Sequence, residues 1–90
     1  MNPYSNSGDV VNLTATGTVN TRDCKLLGFY VNSTTAGTIV FRRGAGGTSS
    51  GTAISGTITP AIGYHPFPAD CPGGAHATIG GTLNVTIFFS

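Results

Sequence analysis

Apolar or small residues occupy every second position from Val11 to Val19, and asparagine or threonine fills the positions between them. A period of two places alternate side chains on opposite faces of an extended chain. The pattern therefore predicts a half-buried strand near the N-terminus.

The middle of the chain repeats this alternation, but with apolar residues on both faces. Residues 24–32 place Leu27, Phe29 and Val31 on one face and Leu26 and Tyr30 on the other. A strand that is apolar on both faces is expected to be covered from both sides.

Turn-forming residues follow this strand. Residues 32–37 contain Asn, Ser, Thr and Gly, so they predict a turn, and residues 38–42 predict a returning strand. Residues 44–51 are rich in Gly and Ser and predict a flexible hairpin loop. A short strand through Ile54 and Ile58 is expected next.

Four of the five prolines lie in residues 60–74. Proline cannot donate a hydrogen bond to a strand ladder, so this segment is expected to be an ordered crossover or an edge strand. Residues 75–79 predict a short strand, residues 80–81 a tight turn, and residues 82–89 a final strand with Phe88 on its more polar face.

These elements give six or seven short strands spaced about 8–12 residues apart, which is typical of sandwiches and barrels. The predicted fold class is all-β: a small antiparallel β-sandwich or a jelly-roll-like barrel. With 90 residues the chain forms one domain. Residues 1–20 are expected to supply an N-terminal arm and the first strand, and residues 21–90 the remainder of the sandwich.

The low content of charged residues and the lack of a long apolar run argue against nucleic acid and membranes as partners. Charged residues make up 8% of the chain and the formal net charge is +1, against about 25% charged residues in typical domains. A basic patch for nucleic acid is missing, and no apolar run approaches the ~20 residues that span a membrane. Because surface charge normally keeps a monomer soluble, so little charge predicts a surface largely covered by other protein.

Catalytic chemistry is not indicated. The acidic residues are Asp9, Asp23 and Asp70, there is no glutamate, and no Gly-x-Ser-x-Gly motif occurs. We therefore expect no enzymatic activity, no catalytic residues and no cofactor.

The cysteines and histidines leave three interpretations open. Cys24, His65, Cys71 and His76 match the ligand number of a zinc site, but the usual close Cys-x2-4-Cys spacing is absent. A Cys24–Cys71 disulfide would close a long loop. Two reduced, buried cysteines are favoured, because the first residues lack a signal-peptide pattern and synthesis in a reducing cytoplasm is expected.

A candidate interface remains once these chemistries are set aside. Tyr64, His65 and Phe67 lie among prolines and predict a rigid aromatic cluster, which either seals one end of the sandwich or contacts another chain. Tyr30 and Phe88 lie on strand faces opposite the main apolar faces, and the adjacent arginines precede the Gly-rich loop. The complete candidate interface is Tyr30, Arg42, Arg43, Tyr64, His65, Phe67 and Phe88.

Three segments resemble small β-rich virion proteins of tailed bacteriophages, of the capsid decoration or cement type. They are residues 28–41, residues 63–68 (Gly-Tyr-His-Pro-Phe-Pro) and residues 77–89, within a region of about two-thirds of the chain. The resemblance implies a β-sandwich that assembles on an icosahedral shell, often as a homotrimer. The segments carry no catalytic signature.

The expected function is therefore that of a phage virion structural protein, made in the host cytoplasm and located on the capsid surface. It would decorate or cement the capsid by bridging neighbouring subunits of the major capsid protein and by contacting copies of itself. Two alternatives stay open: a tail or head-fibre module whose loops bind host-surface glycans, and a small secreted binding module held together by zinc or a disulfide.

Overall fold

A computed structural model describes residues 9–90 as an antiparallel sheet of six strands with one short 3-10 turn at Ala45–Gly47. The predicted N-terminal arm falls partly in residues 1–8, which lie outside the described residues. The strands are β1 (Asp9–Leu13), β2 (Gly17–Asn20), β3 (Cys24–Arg43), β4 (Thr52–Ala53), β5 (Gly63–Cys71) and β6 (Ala75–Phe89). The all-β prediction is confirmed.

Two long strands organise the sheet. β3 has 20 residues and β6 has 15, and they pair from Leu26 opposite Phe89 to Arg43 opposite Ala75. β1 and β2 flank opposite ends of β6, whereas β5 and β4 flank opposite ends of β3. β3 and β6 together form a two-stranded ribbon. One half of this ribbon is flanked by β1 and β5, and the other half is flanked by β2 and β4.

The predicted turns at residues 32–37 and 80–81 are wrong, because both segments lie inside continuous strands. The pairing of β3 with β6 shifts register between Thr35 and Thr38, Ala36 has a φ of 52°, and Gly81 has a φ of 65°. Extra residues and left-handed backbone bend a strand without ending its ladder. Turn-forming residues thus bend the ribbon here instead of reversing the chain.

The bend folds the two halves of the ribbon against each other. The ring centroids of Phe29 and Phe41 are 5.3 Å apart, although a straight strand would separate residues with this spacing by about 40 Å. One buried core fills the space between the halves, which gives the molecule a sandwich-like arrangement. Its members are Val19, Leu26, Phe29, Val31, Ile39, Phe41, Cys71, Ala75, Ala77, Leu83, Val85 and Ile87.

β5 lies within the Pro-rich segment and contains Pro66 and Pro68, and among residues 9–90 it pairs only with β3. The prediction of an edge strand is therefore confirmed. Residues 63–70 of β5 alternate between half-buried and exposed positions, and Cys71 at its end is buried. Phe67 stacks on Phe41 with ring centroids 4.8 Å apart. Because an edge strand has one unpaired side, prolines there interrupt no ladder.

Residues 44–51 connect β3 to β4 as a hairpin, as predicted. The loop is tied to the β5–β6 connection, since the Gly44 N–H donates to the Gly74 carbonyl and the Gly46 N–H to the Gly73 carbonyl. Gly47 is buried with a φ of 77°, and a Cβ there would lie 2.6 Å from the Thr18 methyl group. Glycine permits this close approach of the loop to β2.

Candidate docking face

An exposed aromatic surface lies on the outer face of the half-sheet formed by β1, β3, β5 and the second half of β6. Tyr30 lies opposite both Tyr64 on β5 and Thr86 on β6. Tyr30 is 42% exposed and Tyr64 is 52% exposed. Directly paired residues share a face, so the two tyrosines project to the same side of the sheet.

A shallow groove of about 490 Å³ runs beside Tyr64, lined by Asp9, Val10, Leu27, Tyr64 and Phe88. The rings of Tyr64 and Phe88 are tilted, with centroids 6.0 Å apart. We call Val10, Leu27, Tyr30, Tyr64 and Phe88 the aromatic face. It is predominantly apolar, and among residues 9–90 Asp9 is the one charged residue in the groove lining.

Gly28 positions the Tyr64 ring. A Cβ at Gly28 would collide with the Tyr64 hydroxyl and would lie 2.7 Å from its ring and 2.7 Å from the His65 carbonyl. The absence of a side chain lets Tyr64 lie across β3 towards Phe88. Leu27 adds to the same surface because the β3–β6 register shifts between Leu26 and Gly28.

Three of the predicted interface residues, Tyr30, Tyr64 and Phe88, come together on this face. His65 and Phe67 do not join them, because alternate residues of β5 point to opposite sides. The His65 ring stacks on Phe29 with centroids 5.1 Å apart, and Phe67 stacks on Phe41. The predicted aromatic cluster therefore divides into an outward tyrosine and two rings that pack towards the core.

The two arginines lie at the far end of β3 and are also separate from the aromatic face. Arg42 is half-buried, and its guanidinium donates to the Thr78 hydroxyl at 3.4 Å and the Gly51 carbonyl at 3.3 Å. Arg43 is exposed and donates to the Asp70 carbonyl at 3.5 Å. Both arginines thus brace neighbouring segments of their own chain.

A polar network that the sequence analysis missed borders Tyr30. The Asn12 amide donates to Asn84 Oδ1 at 2.8 Å and to Thr86 Oγ1 at 3.2 Å. The Asn32 amide donates to the same two oxygens at 3.2 and 3.0 Å. These residues hold the polar positions of three alternating strands, and this shared periodicity was the signal that could have identified the network.

The four candidate zinc ligands do not converge. Cys24 lies opposite Cys71 in the β3–β5 ladder, and both are free thiols. His65 Nε2 hydrogen-bonds the Ala61 carbonyl at 2.7 Å, while His76 lies under the Gly-rich loop with Nδ1 3.2 Å from the Gly47 carbonyl. Across residues 9–90, no three His, Cys, Asp or Glu side chains form a group that could hold a metal ion.

Burial changes the chemistry of the two thiols. Desolvation raises the pKa of Cys24 above its ordinary value of 9.0, and the nearby Asp23 carboxylate raises it further. Desolvation, followed by the proximity of Cys24, also raises the pKa of Cys71. Because the thiolate is the reactive form, both thiols are less nucleophilic at neutral pH than an exposed cysteine.

No protein-family model, curated protein or solved structure matches this chain. Nor does the part of the chain described here contain a helix long and apolar enough to cross a membrane.

Proposed function

We propose that this protein is a virion structural protein of a tailed bacteriophage that decorates the capsid, with the aromatic face seated on capsid subunits. The single observation that carries the proposal is the grouping of Tyr30, Tyr64, Phe88, Val10 and Leu27 on one exposed sheet face. Large apolar side chains gathered on a surface favour association with another protein. The resemblance of residues 28–41, 63–68 and 77–89 to phage decoration proteins supplies the type of partner.

In this proposal the contribution of the domain to the capsid is burial of apolar area. Exposed aromatic rings provide large, stiff contact surfaces, which is why tyrosine is enriched at the centres of protein interfaces. One copy that contacts two neighbouring subunits stabilises their assembled state relative to the separated subunits by mass action. Contacts between copies, as in a trimer, would add to this effect.

The proposal is tested by adding purified protein to phage capsids that lack it and measuring bound copies by mass spectrometry. We expect many copies per particle, in proportion to the capsid lattice. Tyr64→Ser and Phe88→Ser should each reduce binding at least about tenfold, as expected for central aromatic contacts. Ser49→Ala, on the exposed Gly-rich loop, is the matched control and should bind as the wild type does. Fewer than tens of copies per particle, or unchanged binding of both variants, would contradict the proposal.

A second candidate function is binding of host-surface glycans by a tail or head-fibre module. The observation that favours it is the exposed Tyr30 ring beside the amides of Asn12 and Asn32. An aromatic ring can stack on the apolar face of a sugar, and the amide oxygens of Asn12 and Asn32 can accept hydrogen bonds from its hydroxyls, because the amide N–H groups already donate within the chain. A glycan array tests this candidate: binding that Tyr30→Ala abolishes would favour it, and the absence of binding would exclude those glycans.

A further inference from the structure

The first residue of β3 and the last residue of β5 are both cysteines, and the ladder pairs them directly. Cys71 is fully buried, and Cys24 is half-buried against the same core. Directly paired residues share a face of the sheet. The two thiols therefore face one another on the core side, where a disulfide would add no exposed group.

The backbone spacing fits a disulfide without rearrangement. Directly opposed residues in an antiparallel pair have Cα atoms about 4.5–5.5 Å apart, and disulfides span Cα distances of about 4.4–6.8 Å. Only side-chain rotation and a small approach of the two Cβ atoms are needed to bring the sulfurs into bonding distance.

Hydrogen bonds hold both strand ends in this register. The Gly73 N–H donates to Asp23 Oδ1 at 2.6 Å, which joins the residue before Cys24 to the turn after Cys71. On the other edge of β3, the backbone groups of Lys25 and Ser90 exchange two hydrogen bonds of 2.9 Å. Cys24 is therefore fixed from both sides, and the entropy of bringing the two thiols together is already lost on folding.

We propose that Cys24 and Cys71 form a reversible intramolecular disulfide when the folded protein meets a small-molecule disulfide such as oxidised glutathione. The Cys24 thiolate, which solvent can reach, attacks one glutathione sulfur, and the other glutathione leaves as a thiolate that takes up a proton. The Cys71 thiolate then attacks the sulfur of Cys24 and releases the second glutathione. Two protein thiols are oxidised and one glutathione disulfide is reduced to two thiols, so atoms and electrons balance.

The burial of both thiols sets the rate of this reaction. Their raised pKa values keep both cysteines mostly protonated at neutral pH, so the reaction is expected to be slow at pH 7 and faster at pH 9. The bond would close the loop of residues 25–70 and fasten the Pro-rich edge strand to β3. This inference does not depend on the proposed capsid role.

The test is incubation of the folded, reduced wild-type protein with oxidised glutathione, followed by alkylation of free thiols and intact-mass measurement. We expect a mass loss of two hydrogens, no alkylation and no retained glutathione. Trypsin should then release residues 23–25 linked to residues 44–90, a pair that reductant separates. The matched variant Cys71→Ser should stop at a stable glutathione adduct on Cys24, because it lacks the second thiol.

Wild-type protein that keeps two alkylatable thiols, retains one glutathione, or forms a disulfide-linked dimer would overturn the proposal. Thermal unfolding of oxidised and reduced wild type provides a second readout that needs no variant. Closure of this long loop should raise the unfolding midpoint by about 10 °C or more. An equal or lower midpoint for the oxidised protein would also contradict a bond made in the native register.

Discussion

Gly28 shows how one missing side chain shapes the aromatic face. The Tyr64 hydroxyl can rotate away from a new Cβ at this position, but the His65 carbonyl, 2.7 Å away, belongs to the backbone of β5 and cannot. A side chain at Gly28 must therefore push β5 away from β3 as well as displace the tyrosine.

Gly28→Ala is expected to lower the free energy of unfolding by about 1–3 kcal/mol, as forced overpacking usually does. Urea denaturation measures this change. Gly56→Ala is the matched control, because a Cβ there meets no atom within 4 Å, and its stability should stay equal or rise by up to about 1 kcal/mol. Equal stability of the wild type and Gly28→Ala would contradict the close approach of β5 to β3.

The buried Cys71 thiol and the half-buried Cys24 thiol lead to a second prediction at the scale of single residues. Each has a higher pKa in the folded state than the ordinary value of 9.0, so the folded protein retains protons that the unfolded chain loses as the pH rises. The stability of the reduced protein should therefore be fully present below pH 8 and should decrease as the pH rises through 9 and above.

Urea denaturation of reduced protein across pH 7–10 checks this dependence. The double variant Cys24→Ala/Cys71→Ala lacks both titrating groups, so it should show a smaller decrease over the same range. The same slope in the double variant and the wild type would assign the alkaline loss of stability to other groups.

At the scale of elements, the bend in the β3–β6 ribbon requires unusual backbone at two facing positions. Gly81 adopts a positive φ of 65° without steric cost, but Ala36 adopts a φ of 52° with a Cβ. A left-handed conformation costs an L-residue with a Cβ roughly 1–2 kcal/mol. Ala36 is exposed, so its methyl group contributes little burial to offset this cost.

Ala36→Gly is therefore expected to raise the free energy of unfolding by about 0.5–1 kcal/mol, after the greater flexibility of glycine in the unfolded chain is subtracted. Ala53→Gly, at an exposed position of β4, should lower it by about 0.5–1 kcal/mol. Thermal unfolding of the three proteins compares them. A loss of stability in Ala36→Gly would show that the bend tolerates alanine without strain.

The sequence predicted several of the residues that face the core, but it did not predict the bend in the ribbon. Alternation correctly placed Phe29 and Val31 in the core and Tyr30 on the outer face. It wrongly placed Leu27 with Phe29 and Leu26 with Tyr30, because the register shift between Leu26 and Gly28 buries Leu26 and turns Leu27 to the outer groove. The Asn, Ser, Thr and Gly residues of 32–37 favour both a reversing turn and a bulged bend, because both use left-handed backbone. Only the pairing of β3 with β6 on both sides of the bend distinguishes them, and that pairing joins residues far apart in the chain.

The candidate site was predictable to a similar extent. Tyr30 and Phe88 were recognised because they interrupt the polar faces of apolar strands. His65 and Phe67 were grouped with Tyr64 by their neighbourhood in sequence, although period two already places them on the other side of β5. The groove itself was not predictable, because it requires β1, β3, β5 and β6 to meet through long-range register.

At the scale of the whole molecule, the low charge of the chain and the apolar character of its aromatic face both favour association through apolar contacts. The chain carries a net charge of +1 with 8% charged residues. Asp9 is the charged residue that lines the groove beside the aromatic face. Burial of apolar area is only weakly affected by moderate salt, whereas contacts between opposite charges weaken as screening increases. An association made by the aromatic face should therefore depend little on ionic strength.

We expect the affinity of the protein for capsids to change by less than about threefold between 50 and 500 mM NaCl, because few charges are available for screening. Cosedimentation with capsids at graded salt measures it. Arg43, at the end of β3, donates to the carbonyl of Asp70, which lies at the opposite end of β5 from Tyr64. The variant Arg43→Gln removes this exposed charge and should bind as the wild type does at every salt concentration. A tenfold or greater loss of affinity with added salt, or a loss of affinity in Arg43→Gln, would contradict this prediction. Either result would show that charged contacts drive association, and that the aromatic face does not.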